Sequence, residues 1–197
     1  MTDVWFTADL HLGHARICEL SGRPFATVED MNQALIERWN DTVGTRDTVW
    51  VLGDFAMGTI ADTLPLGQRL HGEKHLILGN HDRPFMRRGK PDEQAWRDCY
   101  RDVGGFTEIH FGVDILLPTA PVPLRVLRLS HFPYVGDSQD VDRYPDQRPT
   151  DSGWWLLHGH VHEKWKINGR QINVGVDVWD FAPVHLDALL ALAGGAS

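Results

Sequence analysis

Apolar residues recur along this chain in short runs, and several of those runs stop at a polar turn bearing a carboxylate, an amide or an imidazole. VWFTA leads into Asp9-Leu10-His11, and TVWVL leads into Gly53-Asp54. HLIL is followed by Gly79-Asn80-His81-Asp82, LRVLRL by Ser130-His131, and WWLL by His158-Gly159-His160-Val161-His162. Runs of this length bounded by turn residues predict buried strands, over residues 3–8, 47–52, 75–78, 123–130 and 153–158. Further strands are expected at 111–117, 164–168 and 171–175.

Helical spacing appears between them. Met31, Leu35, Ile36, Trp39 and Val43 fall on one face of a helix over 28–43, with Thr27 as its N-cap and Glu29 and Asp30 in the first turn. Shorter helices are expected at 14–20 and 60–70, the second shortened or kinked by Pro65. A closing helix over 185–193 would turn Leu186, Leu189 and Leu190 inward. The first half therefore predicts α/β and the second mostly β. Residues 132–152, rich in Pro, Asp, Gly and Arg, form a long irregular stretch that reads as a lid or a disordered tip.

The chain has 197 residues, a length that fits one domain, taken as 1–197, with a core large enough to fold unaided. Its net charge of −8 disfavours long nucleic acid as a partner, because attraction to phosphate backbones needs basic surface. Cys18 and Cys99 resemble neither a redox pair nor a zinc knuckle and are expected to be free thiols, as suits a reducing compartment. With no apolar leader and no segment long enough to span a membrane, the expected location is cytoplasmic.

A strand ending in Asp, Asn or His sets a donor atom at the lip of a sheet. The donors here are carboxylate, amide oxygen and imidazole, with no thiolate, a set that suits Mn²⁺, Fe or Zn²⁺ and disfavours a closed structural zinc site. Seven of them (Asp9, His11, Asp54, Asn80, His131, His160 and His162) exceed what one ion accepts beside water and substrate. Two ions sharing one carboxylate would use all seven, and Asp54 is the natural bridge. Two ions about 3.5 Å apart suit in-line displacement at phosphorus by an acidified water. Two divalent cations against two carboxylates leave such a site net positive, so it would attract an anion despite the acidic chain. Glycines before Asp54, Asn80 and His160 would let the backbone turn sharply there.

The ordered set D-x-H, G-D, G-N-H-D, a lone His and G-H-x-H resembles the calcineurin-like metallophosphoesterases. All five motifs are present, from Asp9 to His162. FTADLHLGHARI, GRPF and INVGVDVWDFAPVHLDAL resemble a small bacterial and phage branch of that superfamily. The resemblance implies an α/β fold of two packed mixed β-sheets flanked by helices, in four layers. It implies one divalent ion, most simply Mn²⁺, on Asp9, His11, Asp54 and His162, and a second on Asp54, Asn80, His131 and His160. His81 would be a catalytic general acid or hydrogen-bond donor, with Asp82 orienting it. His14 and Arg16 are candidate substrate contacts.

Other polar residues carry weaker readings. His158 reads as a buried supporting partner, and Arg83, Arg87 and Arg88 as a solvated helix face or a phosphate rim. Tyr134, Arg143 and Arg148 on the long loop could select substrate. The expected function is hydrolysis of a small phosphodiester or nucleotide, a 2′,3′-cyclic phosphodiester included. The alternative, a scaffold that has abandoned catalysis, would be expected to have lost a ligand, and none is missing.

Overall fold

The computed structural model describes residues 2–118, 120 and 124–195. In chain order its first half contains β1 (Val4–Thr7), α1 (Ile17–Leu20), α2 (Val28–Thr42), β2 (Thr48–Val51), α3 (Ile60–Thr63), β3 (Glu73–Ile77), α4 (Arg83–Met86), α5 (Glu93–Asp102) and β4 (Phe106–His110). The second half contains β5 (Val113–Leu116), β6 (Val126–Leu129), β7 (Trp155–His158), β8 (Ile167–Asn168), β9 (Gln171–Asn173), β10 (Val184–His185) and α6 (Leu186–Gly195).

These strands make two mixed five-stranded sheets, ordered β10-β1-β2-β3-β4 and β5-β6-β7-β9-β8. In the first, β1 to β4 run parallel and β10 antiparallel. In the second, β6, β7 and β9 run parallel between antiparallel edges. Strand alternation divides the core. Val49, Val51 and Leu76 face the helices, packing with Met31, Leu35, Ile36 and Trp39 of α2. Phe6, Leu52 and Ile77 face the second sheet, packing on Leu127, Leu129, Leu157 and Ile172, with Leu189 and Ala193 of α6 joining them. The outer face of the second sheet, carrying Leu156 and Gln171, meets the long loop: Tyr134 and Val135 donate backbone N–H groups to the Gln171 Oε1.

The long helix matches its periodicity, and Thr27 Oγ1 caps it by accepting from the Asp30 N–H at 3.0 Å. Pro65 acts as expected, since the 60–70 segment is one α-turn followed by a 3₁₀ stretch over Leu64–Arg69. Helix α5 and strand β4 have no counterpart in the sequence reading. Only Tyr100 of α5 is fully buried, so its apolar stripe is too thin to register, and β4 sinks only Phe106 and Ile109. The expected strand at 111–117 shrinks to β5, with Phe111 and Gly112 forming the turn from β4. Residue 123 of the 123–130 strand lies outside the described residues; the remainder contains β6. Cys18 and Cys99 are free. No helix among the described residues is long and apolar enough to cross a membrane.

Candidate metal centre

The seven donors sit beyond the carboxyl ends of β1, β2, β3, β6 and β7, where backbone leaving parallel strands opens a crevice. A parallel bridge between Ala8 and Gly175 closes the two sheets over this edge. The loops after β1 and β2 are tied directly, Asp9 N–H to the Gly53 carbonyl and His11 N–H to the Asp54 carbonyl, both at 3.0 Å. Seven described non-glycine residues have left-handed backbone, and five of them are Asp9, His11, Asp54, His160 and His162. Each such residue costs on the order of 1–3 kcal/mol, and strain of this kind concentrates where function requires it. Two glycines allow the close approach: a Cβ on Gly79 would collide with the Asp54 carboxylate, and one on Gly159 with that of Asp9.

Asp54 lies at the centre. Its Oδ1 accepts from the His81 N–H at 2.8 Å, which leaves Oδ2 free. That oxygen is 3.6 Å from His11 Nε2 and 3.6 Å from His131 Nε2, midway between the two imidazoles. Donor atoms of Asp9, His11 and His162 converge within 4.8 Å of one another, as do those of Asp9, Asp54 and His131. Asp9 Oδ1 and His11 Nε2 are buried, have no hydrogen-bond partner and stand 3.9 Å apart. Buried polar atoms left unpaired are costly, so this pair fits a cation.

The tautomers fit as well. His131 Nδ1 donates to the Leu52 carbonyl at 2.8 Å, so in the neutral ring Nε2 is an acceptor. It faces a second acceptor, Asn80 Oδ1, at 3.1 Å, a meeting of lone pairs that a proton or a cation resolves. His11 Nδ1 is taken by Met57 Sδ, His162 Nδ1 by Asp177 Oδ2 and His160 Nε2 by Asp137 Oδ2. Each of the four imidazoles thus spends one nitrogen on the protein and leaves the other available, the usual arrangement around a metal.

Burial drives His11 well below the ordinary imidazole range, and the neighbouring His162 lowers it further. Burial raises Asp9, with His162 and His131 opposing. Burial also pushes Asp54 up, but His131, His81 and the His81 N–H outweigh it, and the carboxyl stays below its usual value. His160 is lowered to about 4 by burial and by His131. His162 moves the other way, because Asp177 and Asp9 overcome burial. A metal-binding imidazole must be unprotonated, so protons compete with a cation for these ligands.

His81 borders the cleft half-exposed, with Nε2 4.0 Å from Asp54 Oδ2. Asp82 differs from expectation. Its carboxylate accepts the backbone N–H groups of Asp54, Phe55 and Gly79, at 3.0, 3.1 and 2.8 Å, so it fixes the two ligand-bearing turns rather than the His81 ring. Burial and the Asp54 charge push its pKa up to about 7, while those N–H donors oppose the shift. His14 lines the cleft beside His11, and its buried Nδ1 lacks a partner. Arg16 does not join them: it precedes α1 with its side chain in solvent.

Of the loop residues, Arg143 lines the cleft, whereas Arg148 holds the loop through the Pro133 and Gly136 carbonyls and Tyr134 bonds the Trp154 carbonyl. Arg87 pairs with Asp92 and Arg88 lies over Phe111, whereas Arg83 lies over Trp96 and lines a small pocket with His81. His158 is buried and neutral, its pKa lowered to about 3 by burial.

Three residues absent from the expected set support the ligands. Asp177 holds His162 and receives buried Arg23 through Nε at 2.7 Å and Nη2 at 2.9 Å. Arg23 also donates to the carbonyls of Leu10 and Asp9, gripping the D-x-H turn. Their signal lay in GRPF and VGVDVWDF, phrases whose physical role the sequence alone did not expose. Asp137 holds His160 and had no signal.

Comparison with known proteins agrees with this geometry. A model described as calcineurin-like phosphoesterase matches residues 2–190, and the chain belongs to that family of phosphoester hydrolases, whose members use divalent metals. The gene 66 protein of Mycobacterium phage D29 is 41% identical over 201 residues, covering 93% of each chain. A symmetrical bis(5′-nucleosyl)-tetraphosphatase of Xanthomonas axonopodis pv. citri is 28% identical over 138 residues, 69% of this chain and 37% of that protein. The crystal structure of a protein of unknown function from Aquifex aeolicus shares the fold with a TM-score of 0.72, at 24% identity over 98% of this chain and 100% of that one.

Proposed function

We propose that this chain is a dinuclear phosphohydrolase of small substrates, with phosphodiesters and nucleotides as the preferred class. The observation that carries the proposal is the free Asp54 Oδ2, equidistant at 3.6 Å from an imidazole of each half-site. Asp9, His11, Asp54 and His162 would hold one cation, and Asp54, Asn80, His131 and His160 the other. Bound there, divalent cations would supply Lewis acidity toward a phosphoryl oxygen and acidify water. The oxygen and imidazole donors suit Mn²⁺, the expected occupant, and also Fe or Zn²⁺.

The chain's own groups do the rest. His81, half-exposed at the cleft mouth, would donate a proton to the leaving oxygen, while Asp82 holds its turn. His14, with one nitrogen uncommitted, would contact a phosphoryl oxygen. The cleft has a volume of about 190 Å³, small enough to favour a compact substrate. The tetraphosphatase relative supports nucleotides within that class. Free Cys18 and Cys99 agree with a reducing, cytoplasmic setting.

The test is a screen of phosphomonoesters, linear and cyclic phosphodiesters and dinucleoside polyphosphates with Mn²⁺ supplied. Turnover of a phosphodiester or nucleotide, lost to chelator and restored by a divalent ion, is expected. No turnover of any class with Mn²⁺, Fe²⁺ or Zn²⁺ would refute the proposal.

A further inference from the structure

The 132–152 stretch contains a carboxylate that the seven donors do not require. Asp137 is only 8% exposed, although it sits in the middle of an irregular polar loop. Its two oxygens are divided. Oδ2 meets His160 Nε2 at 3.0 Å and also accepts the Arg143 N–H at 3.2 Å. Oδ1 accepts from Arg143 Nε at 3.1 Å and Nη2 at 2.9 Å, and from the Gln139 N–H at 3.0 Å. Arg143 is the sole Lys or Arg among the residues lining the cleft.

We propose that Asp137 is a positioning residue for the second cation. It fixes His160 with Nε2 protonated and Nδ1 as the lone pair, and through Arg143 it couples docking of the loop to loading of that half-site. This inference rests on the dinuclear reading above. A carboxylate behind a metal-binding imidazole sets the ring's tautomer and raises its basicity, and losing one typically costs 10–100-fold in affinity. Linkage then requires the reverse effect, that cation binding tightens the loop. The same contact sets Arg143 at the cleft, so a docked loop offers the substrate a cationic group that an undocked loop withdraws.

The experiment compares wild type, Asp137→Asn and Asp142→Asn. Asp142 pairs with Arg148 on the same loop, so its variant loosens the loop without touching His160. Mn²⁺ titration by calorimetry and tryptic cleavage after Arg143 are the two readouts. Expected for wild type are two ions and slower loop cleavage with Mn²⁺. Asp137→Asn should keep one ion at wild-type affinity, weaken the other about 10–100-fold, and lose the Mn²⁺-dependent protection. Asp142→Asn should keep both ions.

Two ions at wild-type affinity in Asp137→Asn, beside two in wild type, would overturn this inference alone. Equal weakening in Asp142→Asn would overturn it by showing that loop order is what matters. A wild type that binds one ion overturns the dinuclear reading and this inference with it. If Asp137→Asn does not fold, Asp137→Glu is read the same way, and failure of both to fold assigns Asp137 to loop structure and overturns the proposal.

Discussion

The two half-sites proposed around Asp54 are braced differently. His162 is backed by Asp177, which is locked by Arg23, and that arginine grips the carbonyls of Asp9 and Leu10. Both members of this pair are almost wholly buried, at 0% and 2% side-chain exposure. His160 is backed by Asp137, whose arginine partner keeps 30% of its side chain exposed at the cleft. One brace is fixed inside the protein, and the other lies on a loop that borders the cleft. On the proposed reading the difference separates two tasks: the first half-site is held by the fold itself, and the second is tied to the loop lining the cleft.

Removing the shared element should have the largest effect. Asp54→Ala takes the carboxylate from both half-sites, and turnover should fall by about 10³-fold or more, with both ions weakened in a metal assay. Retention of two ions and full rate would show that Asp54 is not the bridge. His81→Ala leaves every ligand in place. It should keep both ions and lose about 10²–10⁴-fold in rate, more for alkoxide than for nitrophenolate leaving groups. Equal losses for the two would exclude the general-acid role.

Asp177→Asn probes the fixed brace. It leaves the Arg23 guanidinium buried without its counter-charge, a change that typically costs about 3–5 kcal/mol of stability. Denaturant unfolding of the cation-free protein should show that loss, and Mn²⁺ affinity should fall at one site. Asp137→Asn, at the brace whose arginine is partly exposed, should cost less stability than Asp177→Asn in the same assay. The reverse order would contradict the contrast drawn between the two.

A smaller effect concerns pH. His158 has a folded pKa of about 3, below the unfolded value of about 6.5. The unfolded chain takes up a proton that the native state refuses, so stability is greatest above pH 6.5 and falls as pH drops from there toward 3. His158→Phe should flatten the slope between pH 6 and 4 by about 1.4 kcal/mol per pH unit. An unchanged slope would mean that the native ring does protonate.

What the sequence made legible follows from how each feature is encoded. The ligand-bearing strands announce themselves because each couples a buried run to a polar stop, and Asp9, His11, Asp54, Asn80, His131, His160 and His162 all come to the same edge of the two sheets. Helix α2 was visible through its apolar stripe and cap. Helix α5 was not, since Trp96, Cys99 and Tyr100 are thinly spread among charged residues. Supporting residues were the least legible. Arg23 and Asp177 are 154 positions apart, and Asp137 reaches His160 from 23 positions away, so no local pattern links either pair. Asp82 shows the same difficulty: its neighbour His81 was the obvious partner, yet the fold turns its carboxylate toward three backbone N–H groups.

The claim on which the rest stands is that two cations share Asp54. Electron paramagnetic resonance of the Mn²⁺-loaded protein tests it most directly. The account predicts two ions per chain with the exchange-coupled signal of a closely bridged pair, replaced by uncoupled Mn²⁺ in Asp54→Ala. A saturated wild type showing one ion, or two without coupling, would contradict it.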